Sequence, residues 1–312
     1  MTISIILSDN IKSTENRLFI NLINEFKRYN IDVLINSCND KCEYIIGNSI
    51  GNANKIYFWH NRYPKVKLIC YNWDIYWWTQ DQYNFNLYKI LLENCVEIWC
   101  PSNSVISRTE QFFNQGNKCR IIKSYVEFFE VDDFANIPGN YVYHPLRKYQ
   151  DPQYGWSERA SKELGIPFVR SEHKLSLDEY QKMVSNCKFI VTEYFEASTG
   201  GLTLLEAYNL GKEVLFCDSE FMGASDYFGN RANYFKTGSY LDFKNKFKEL
   251  WEAEDIVDLE QRKLFSKQFS KEEMAKNIVN RLNDLRNYSK SVADYSSVKL
   301  TFKEFFYLKF KL

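Results

Sequence analysis

The stretch Thr192-Glu193-Tyr194-Phe195-Glu196-Ala197-Ser198-Thr199-Gly200-Gly201-Leu202-Thr203-Leu204-Leu205-Glu206-Ala207 sets the reading of the whole chain. It continues the strand-like run 188–192, passes through small residues, and enters a helix-like stretch, 202–210, that Gly211 stops. A strand that passes through a glycine turn into a helix is the unit from which parallel sheets are wound. The same order has a chemical consequence. The first N–H groups of a helix lack intrahelical partners, and the helix dipole adds positive charge there. A helix start running through Ser198, Thr199, Gly200, Gly201, Leu202 and Thr203 therefore suits an anion, which glycines allow to approach the backbone.

Outward from this turn the alternation repeats. Downstream lie a strand at 213–217 and a helix over 270–286; upstream lie strands at 141–143 and 167–169 and helices at 157–164 and 176–185. The first half begins with a strand at 3–7. A helix over 15–29 follows, with Phe19, Leu22, Ile23 and Phe26 at helical spacing, and then a strand at 32–35. Further strands are expected at 44–46, 55–59, 66–71, 96–100 and 120–123, with helices between the last three. The polar segment 132–140 carries Pro138-Gly139, which is turn and linker chemistry. The reading is α/β, with two doubly wound, Rossmann-like domains: 1–136, 137–285, and a tail, 286–312.

Composition narrows the classes. At 312 residues the chain is comfortable for two domains. Forty basic residues balance forty acidic ones, so no global field favours nucleic acid, and any anion site must be local. Aromatic residues make up 17%, which suits either sugar and base stacking or core packing. Met1 leads directly into the strand-like run 3–7, and no apolar stretch reaches the length of a membrane span, so a cytoplasmic location is expected. The tail 298–312 interleaves Lys299, Lys303, Lys309 and Lys311 with Phe302, Phe305, Phe306, Tyr307 and Phe310. It reads either as docking on the N-terminal domain or as a peripheral contact with the inner face of a membrane. Eight scattered cysteines read as reduced thiols, and Cys38 and Cys42 lack the second pair that a zinc site needs, so no metal is expected.

The segment 192–207 resembles the donor-binding motif of the retaining family 4 glycosyltransferases (glycosyl transferases group 1), which have the GT-B fold. That motif is a Glu, a glycine-rich turn and a second Glu followed by Ala, and Glu206-Ala207 matches its second part. The resemblance implies two Rossmann-like domains facing across a cleft. It also implies a nucleotide-sugar donor such as a UDP- or GDP-sugar, a glycan or glycolipid acceptor, and transfer of a hexose-type sugar with retention. In the family the second Glu holds the ribose hydroxyls, a role that falls to Glu206, whose two carboxylate oxygens suit two vicinal hydroxyls. The family places seven residues between its two acids. That position here is Ser198, whereas Glu196 leaves nine; either the loop is two residues longer and Glu196 reaches the sugar, or the role is lost.

Other positions follow from the same resemblance. Tyr143-His144-Pro145-Leu146-Arg147-Lys148 follows the first strand of the second domain, where the family carries an Arg and a Lys for the diphosphate. Arg147, Lys148 and His144 are the candidates. His173 and Lys174 fall where the nucleobase loop would be. In the first domain, Asn72-Trp73-Asp74 lies at a strand end where the family often has His-Asp near the sugar. Asn72 and Asp74 are thus candidates for hydroxyl contacts and Trp73 for stacking; the alternative is a capped helix start with buried aromatics. No credible strand-end loop carries Asp-x-Asp, so transfer is expected without a metal. Two other classes compete. A dinucleotide oxidoreductase or epimerase requires Gly-x-Gly-x-x-Gly after a first strand, and neither domain has it. A non-catalytic sugar- or nucleotide-binding protein of the same fold is the second.

Overall fold

The computed structural model describes residues 1–8, 14–73, 75, 84–126, 139–145, 155–171, 175–193, 201–254, 259–288, 293, 295, 296 and 298. The chain divides into two compact units, Met1–Tyr125 with Lys271–Leu312, and Val126–Ser270. The first contains β1 (Thr2–Ile6), α1 (Thr14–Arg28), β2 (Asp32–Ile35), β3 (Tyr44–Asn48), α2 (Ala53–Arg62), β4 (Lys67–Tyr71) and α3 (Phe85–Asn94). It continues with β5 (Glu97–Cys100), α4 (Asn103–Phe113) and β6 (Cys119–Ile121). The second contains β7 (Tyr141–His144), α5 (Trp156–Leu164), β8 (Phe168–Arg170), α6 (Leu177–Asn186), β9 (Cys187–Val191) and α7 (Leu202–Asn209). After these come β10 (Glu213–Cys217), α8 (Ser225–Phe228), β11 (Asn233–Phe235), α9 (Tyr240–Glu252) and α10 (Leu259–Lys267); α11 (Lys271–Asp284) returns to the first unit.

Both sheets are parallel, ordered β2-β1-β3-β4-β5-β6 and β11-β10-β9-β7-β8. The cause is visible in the strands. Ile45-Ile46, Leu68-Ile69-Cys70 and Phe189-Ile190-Val191 are buried on both faces, as a sheet covered by helices on each side requires. Each chain path reverses direction once, between β1 and β3 in one unit and between β7 and β9 in the other. In open α/β sheets a crevice forms at the carboxyl ends of the strands at such a reversal, and ligands bind there.

One expectation is corrected. The run 55–59, expected as a strand, lies inside α2. Parallel β3 and β4 need a crossover between them, and Ala53, Ile56 and His60 recur at helical spacing and are buried, so packing overrides the β preference of the local sequence. Gly47 makes the close approach feasible, since a Cβ there would lie 2.6 Å from Cδ1 of Ile56. The helix expected over 270–286 groups, from Lys271, with the first unit. Helix α11 buries Met274, Ala275, Ile278, Val279 and Leu282, the four larger side chains contributing about 1.5–3 kcal/mol each, and Arg281 makes a bidentate pair with buried Glu97 of β5 at 2.8 and 2.5 Å. Tyr44 adds a hydrogen bond to the Leu282 carbonyl at 2.7 Å.

The remaining features follow the same chemistry. His60 is buried, with Nε2 at 2.9 Å from the Val66 carbonyl; a proton on Nε2 leaves Nδ1 to accept from the Tyr295 hydroxyl. Residues 299–312, the bulk of the basic aromatic tail, lie outside the described residues. All eight cysteines are buried free thiols. Among the described residues no helix is long and apolar enough to cross a membrane, and no cluster of His, Cys, Asp or Glu could hold a metal.

Candidate functional site

The reversal point of the second unit brings together the ends of β7, β8 and β9 and the start of α7. The β9 strand runs through Val191 to Thr192 and Glu193, and α7 opens at Gly201. Gly201 adopts φ 60, ψ 59, the left-handed region. An added Cβ would meet Leu204 Cδ1 at 2.9 Å and Ala224 Cβ at 3.4 Å, so glycine is required on two counts. The Gly201 carbonyl accepts the N–H groups of Leu204 and Leu205 at 2.8 and 3.2 Å. No side chain among the described residues caps α7.

One turn into α7, on the face of Thr203, sits Glu206, partly exposed. The Tyr180 hydroxyl of α6 reaches the Thr203 carbonyl at 3.4 Å and hydrogen-bonds the Glu206 carboxylate. Burial first, and the charge of Glu206 second, push the Tyr180 hydroxyl well above the ordinary tyrosine range. It stays protonated and donates.

The neighbouring helix start is arranged differently. Glu193 is fully buried just beyond β9, and its carboxylate accepts the Trp156 N–H at 2.9 Å and the Ser157 N–H at 2.8 Å, capping α5. Arg170, at the end of β8, donates to the same carboxylate at 3.0 Å and lies 3.6 Å from Glu158. His144, at the end of β7, lies 3.9 Å from Glu193. The His144 pKa is held down at about 3, by burial first and by the Arg170 cation second, so the imidazole is neutral and this approach is no ion pair. A buried carboxylate is tolerated here because a guanidinium and two helix N–H groups replace its water.

At the end of β4, Asn72 and Trp73 turn inward. Asn72 is buried; its amide donates to Thr109 Oγ1 at 3.0 Å, and its carbonyl accepts from the Tyr88 hydroxyl, tying β4 to α3 and α4. The Trp73 ring is buried beside Tyr71, centroids 5.7 Å apart. Of the sequence-nominated residues, the structure brings His144, Gly201, Leu202, Thr203 and Glu206 to one end of one sheet. Asp74, Arg147, Lys148, His173, Lys174, Glu196, Ser198, Thr199 and Gly200 lie outside the described residues. Arg170, Tyr180 and Glu193 were not among the nominated residues. An acid two residues beyond the apolar run Phe189-Ile190-Val191 was the available signal, since a buried charge in that place must be partnered.

Two parallel-sheet α/β units with these strand orders constitute the fold of the GT-B glycosyltransferases. No protein-family model matches the chain, and no curated protein matches its sequence. Solved structures do match. Sucrose-phosphate synthase from Thermosynechococcus elongatus superposes with a TM-score of 0.72 at 11% identity, covering 92% of this chain and 100% of that one. HepE of Anabaena, solved with UDP and glucose, gives 0.66 at 11% identity over 91% of this chain and 100% of its own. The lipopolysaccharide outer core galactosyltransferase WaaB gives 0.65 at 12% identity, covering 91% and 99%.

Proposed function

We propose that the protein is a glycosyltransferase that moves a hexose-type sugar from a nucleotide-sugar donor to a glycan or lipid-linked acceptor, with retention and without a metal. The observation that carries this reading is the α7 start, where Gly201 opens a helix at the reversal point with Glu206 one turn further on. In this scheme the diphosphate lies at that start, over 198–203, and Glu206 takes the ribose hydroxyls, displacing the Tyr180 hydroxyl. Arg147 and Lys148 supply fixed positive charge to the departing diphosphate, the preorganised electrostatics that most lowers such barriers. Glu196 and Asp74 contact the transferred sugar, and His173 and Lys174 flank the base. The C1–O bond to the diphosphate breaks as the acceptor oxygen bonds C1 on the same face, and the acceptor proton passes to the leaving phosphate oxygen.

The binding half of the reading is tested by thermal shift against UDP-, GDP-, dTDP- and ADP-sugars. A ligand at a hundred times its dissociation constant adds about 2.7 kcal/mol. Glu206→Ala is expected to weaken the best of these at least tenfold with the circular dichroism spectrum unchanged; unaltered affinity refutes the assignment. Occupation of the seven-residue position by Ser198 favours a second reading, a binding protein without turnover. Release of free nucleotide in the presence of acceptor separates the two.

A further inference from the structure

The sheet of the first unit reverses between β1 and β3, and the groups gathered at that reversal are polar. Ser8, just beyond β1, is bridged by Asn16 of α1, whose carboxamide accepts the Ser8 N–H at 3.1 Å and donates to the Ser8 hydroxyl at 2.7 Å. Lys55 of α2 is buried, with Nζ 3.4 Å from the Leu7 carbonyl. Asn48, the last residue of β3, is 0% exposed, and neither its Oδ1 nor its Nδ2 has a hydrogen-bond partner among the described residues. Ser49 follows at φ 64, ψ 159, a conformation that belongs almost wholly to glycine, held there by its N–H on the Tyr71 carbonyl at 3.1 Å. We propose that Asn48 is the contact residue of a sugar-binding site in the first unit, its carboxamide taking two vicinal hydroxyls of the acceptor ring. That the sugar is the acceptor rests on the glycosyltransferase reading above; the site itself rests on the first unit alone.

Buried amides are almost always paired, because a dry one forfeits the bonds it made to water. A carboxamide with both halves unpaired at full burial is a group kept for an incoming partner, and its chemistry selects that partner. Nδ2 donates and Oδ1 accepts, so phosphate or sulfate would fill the first and leave the second dry, and a cation would do the reverse. Adjacent hydroxyls of a sugar ring fill both, one accepting from Nδ2 and the other donating to Oδ1. Side chains alternate along a strand, so Asn48 shares the face of Tyr44 and Ile46, opposite Gly47, which abuts Ile56 of α2. Tyr71 lies beside Asn48 in the β3–β4 register, and Phe19 of α1 meets it edge-on at 5.4 Å. Asn48 thus sits on the face that α1 covers, at the carboxyl end of the sheet, where open α/β folds take their ligands. Its closure in the free chain means that the sugar enters by a local opening of that sheet end.

The test is saturation-transfer NMR on the full chain, with the methyl glycosides of glucose, galactose, mannose and N-acetylglucosamine as probes. Wild type is compared with Asn48→Leu and Asn48→Ala, and urea unfolding of each is followed without sugar. Wild type should saturate at least one glycoside, and both variants should lower that signal by roughly fivefold or more, the loss of two hydrogen bonds. Leucine has nearly the shape of the carboxamide and needs no partner, so the unliganded Asn48→Leu midpoint should lie at or above that of wild type. Should Asn48→Leu fail to fold, Asn48→Ala removes the carboxamide without adding an apolar branch and decides the signal. A glycoside signal that survives in either folded variant, or a wild type that saturates none of the probes, overturns the proposal; a surviving signal with a lowered Asn48→Leu midpoint identifies an internal water as the occupant instead. Thermal shifts of the wild type with nucleotide sugars read the donor site separately. Their absence beside an Asn48-dependent glycoside signal removes the donor reading and leaves the sugar site standing.

Discussion

Replacing Gly201 with alanine should cost more than the same change at Gly165, and the gap measures how tightly the α7 start is packed. Both glycines adopt the left-handed conformation in the same unit, at φ 60 and φ 69. A non-glycine residue there costs about 1–2 kcal/mol. Around Gly165 a Cβ meets nothing within 4 Å, so that penalty is the whole effect. At Gly201 the Cβ lies 2.9 Å from Leu204 Cδ1 and 3.3 Å from its Cγ, and Leu204 is itself buried in the core. Moving Leu204 off its rotamer adds about 0.5–1.5 kcal/mol. Gly201→Ala should therefore lose roughly 2–3 kcal/mol, or about 4–10 °C in melting temperature. Urea unfolding followed by circular dichroism gives both numbers, with slopes expected to match wild type. Equal losses at the two glycines would refute the close-packing argument.

Acid should expose the cost of keeping His144 neutral. An unfolded histidine protonates near pH 6.5, whereas folded His144 does so at about 3. Between these values the unfolded chain binds the extra proton. The stability present above pH 6.5 is thus lost as pH falls, at up to about 1.4 kcal/mol per pH unit. Urea midpoints of His144→Gln should decline less steeply than wild type from pH 7 to 5; parallel profiles would contradict the assignment. Removing the Arg281 guanidinium from buried Glu97 by Arg281→Ala should cost about 2–3 kcal/mol, discounted from the full buried-pair value because Arg281 is 29% exposed. Adding Glu97→Gln should recover part of that loss, and a single-variant loss under about 0.5 kcal/mol would show the pair to be idle. Gly47→Ala should lose about 1–3 kcal/mol by overpacking against Ile56; the double change with Ile56→Val should recover part of it, and additive losses would argue against that contact.

What could be read in the chain was local and periodic. Apolar runs such as 188–192 and the glycine-rich turn before 202 announced strand, turn and helix, because periodicity and backbone freedom are properties of neighbouring residues. The α2 segment defeated that logic. Its Ile56-Tyr57-Phe58-Trp59 run favours a strand locally, and only the need to cross from β3 to parallel β4 makes it a helix. The ties of Asn72 were hidden for a related reason, since its partners Thr109 and Tyr88 are remote in sequence. Glu193 went unremarked because its partners, Arg170 and the start of α5, come within 3.0 Å only on folding.

The return of α11 to the first unit has a consequence for biosynthesis. A nascent chain emerges in order, and Glu97 precedes Arg281 by 184 residues. At usual translation speeds of about 5–20 residues per second, this bidentate partner arrives roughly ten to forty seconds after the glutamate leaves the ribosome. Throughout that interval the apolar surface destined for Met274, Ile278 and Leu282 stays uncovered, and all of 126–270 is synthesised before it can be closed. The later-synthesised unit can mature first, and truncation before Lys271 should leave the earlier one dependent on chaperones.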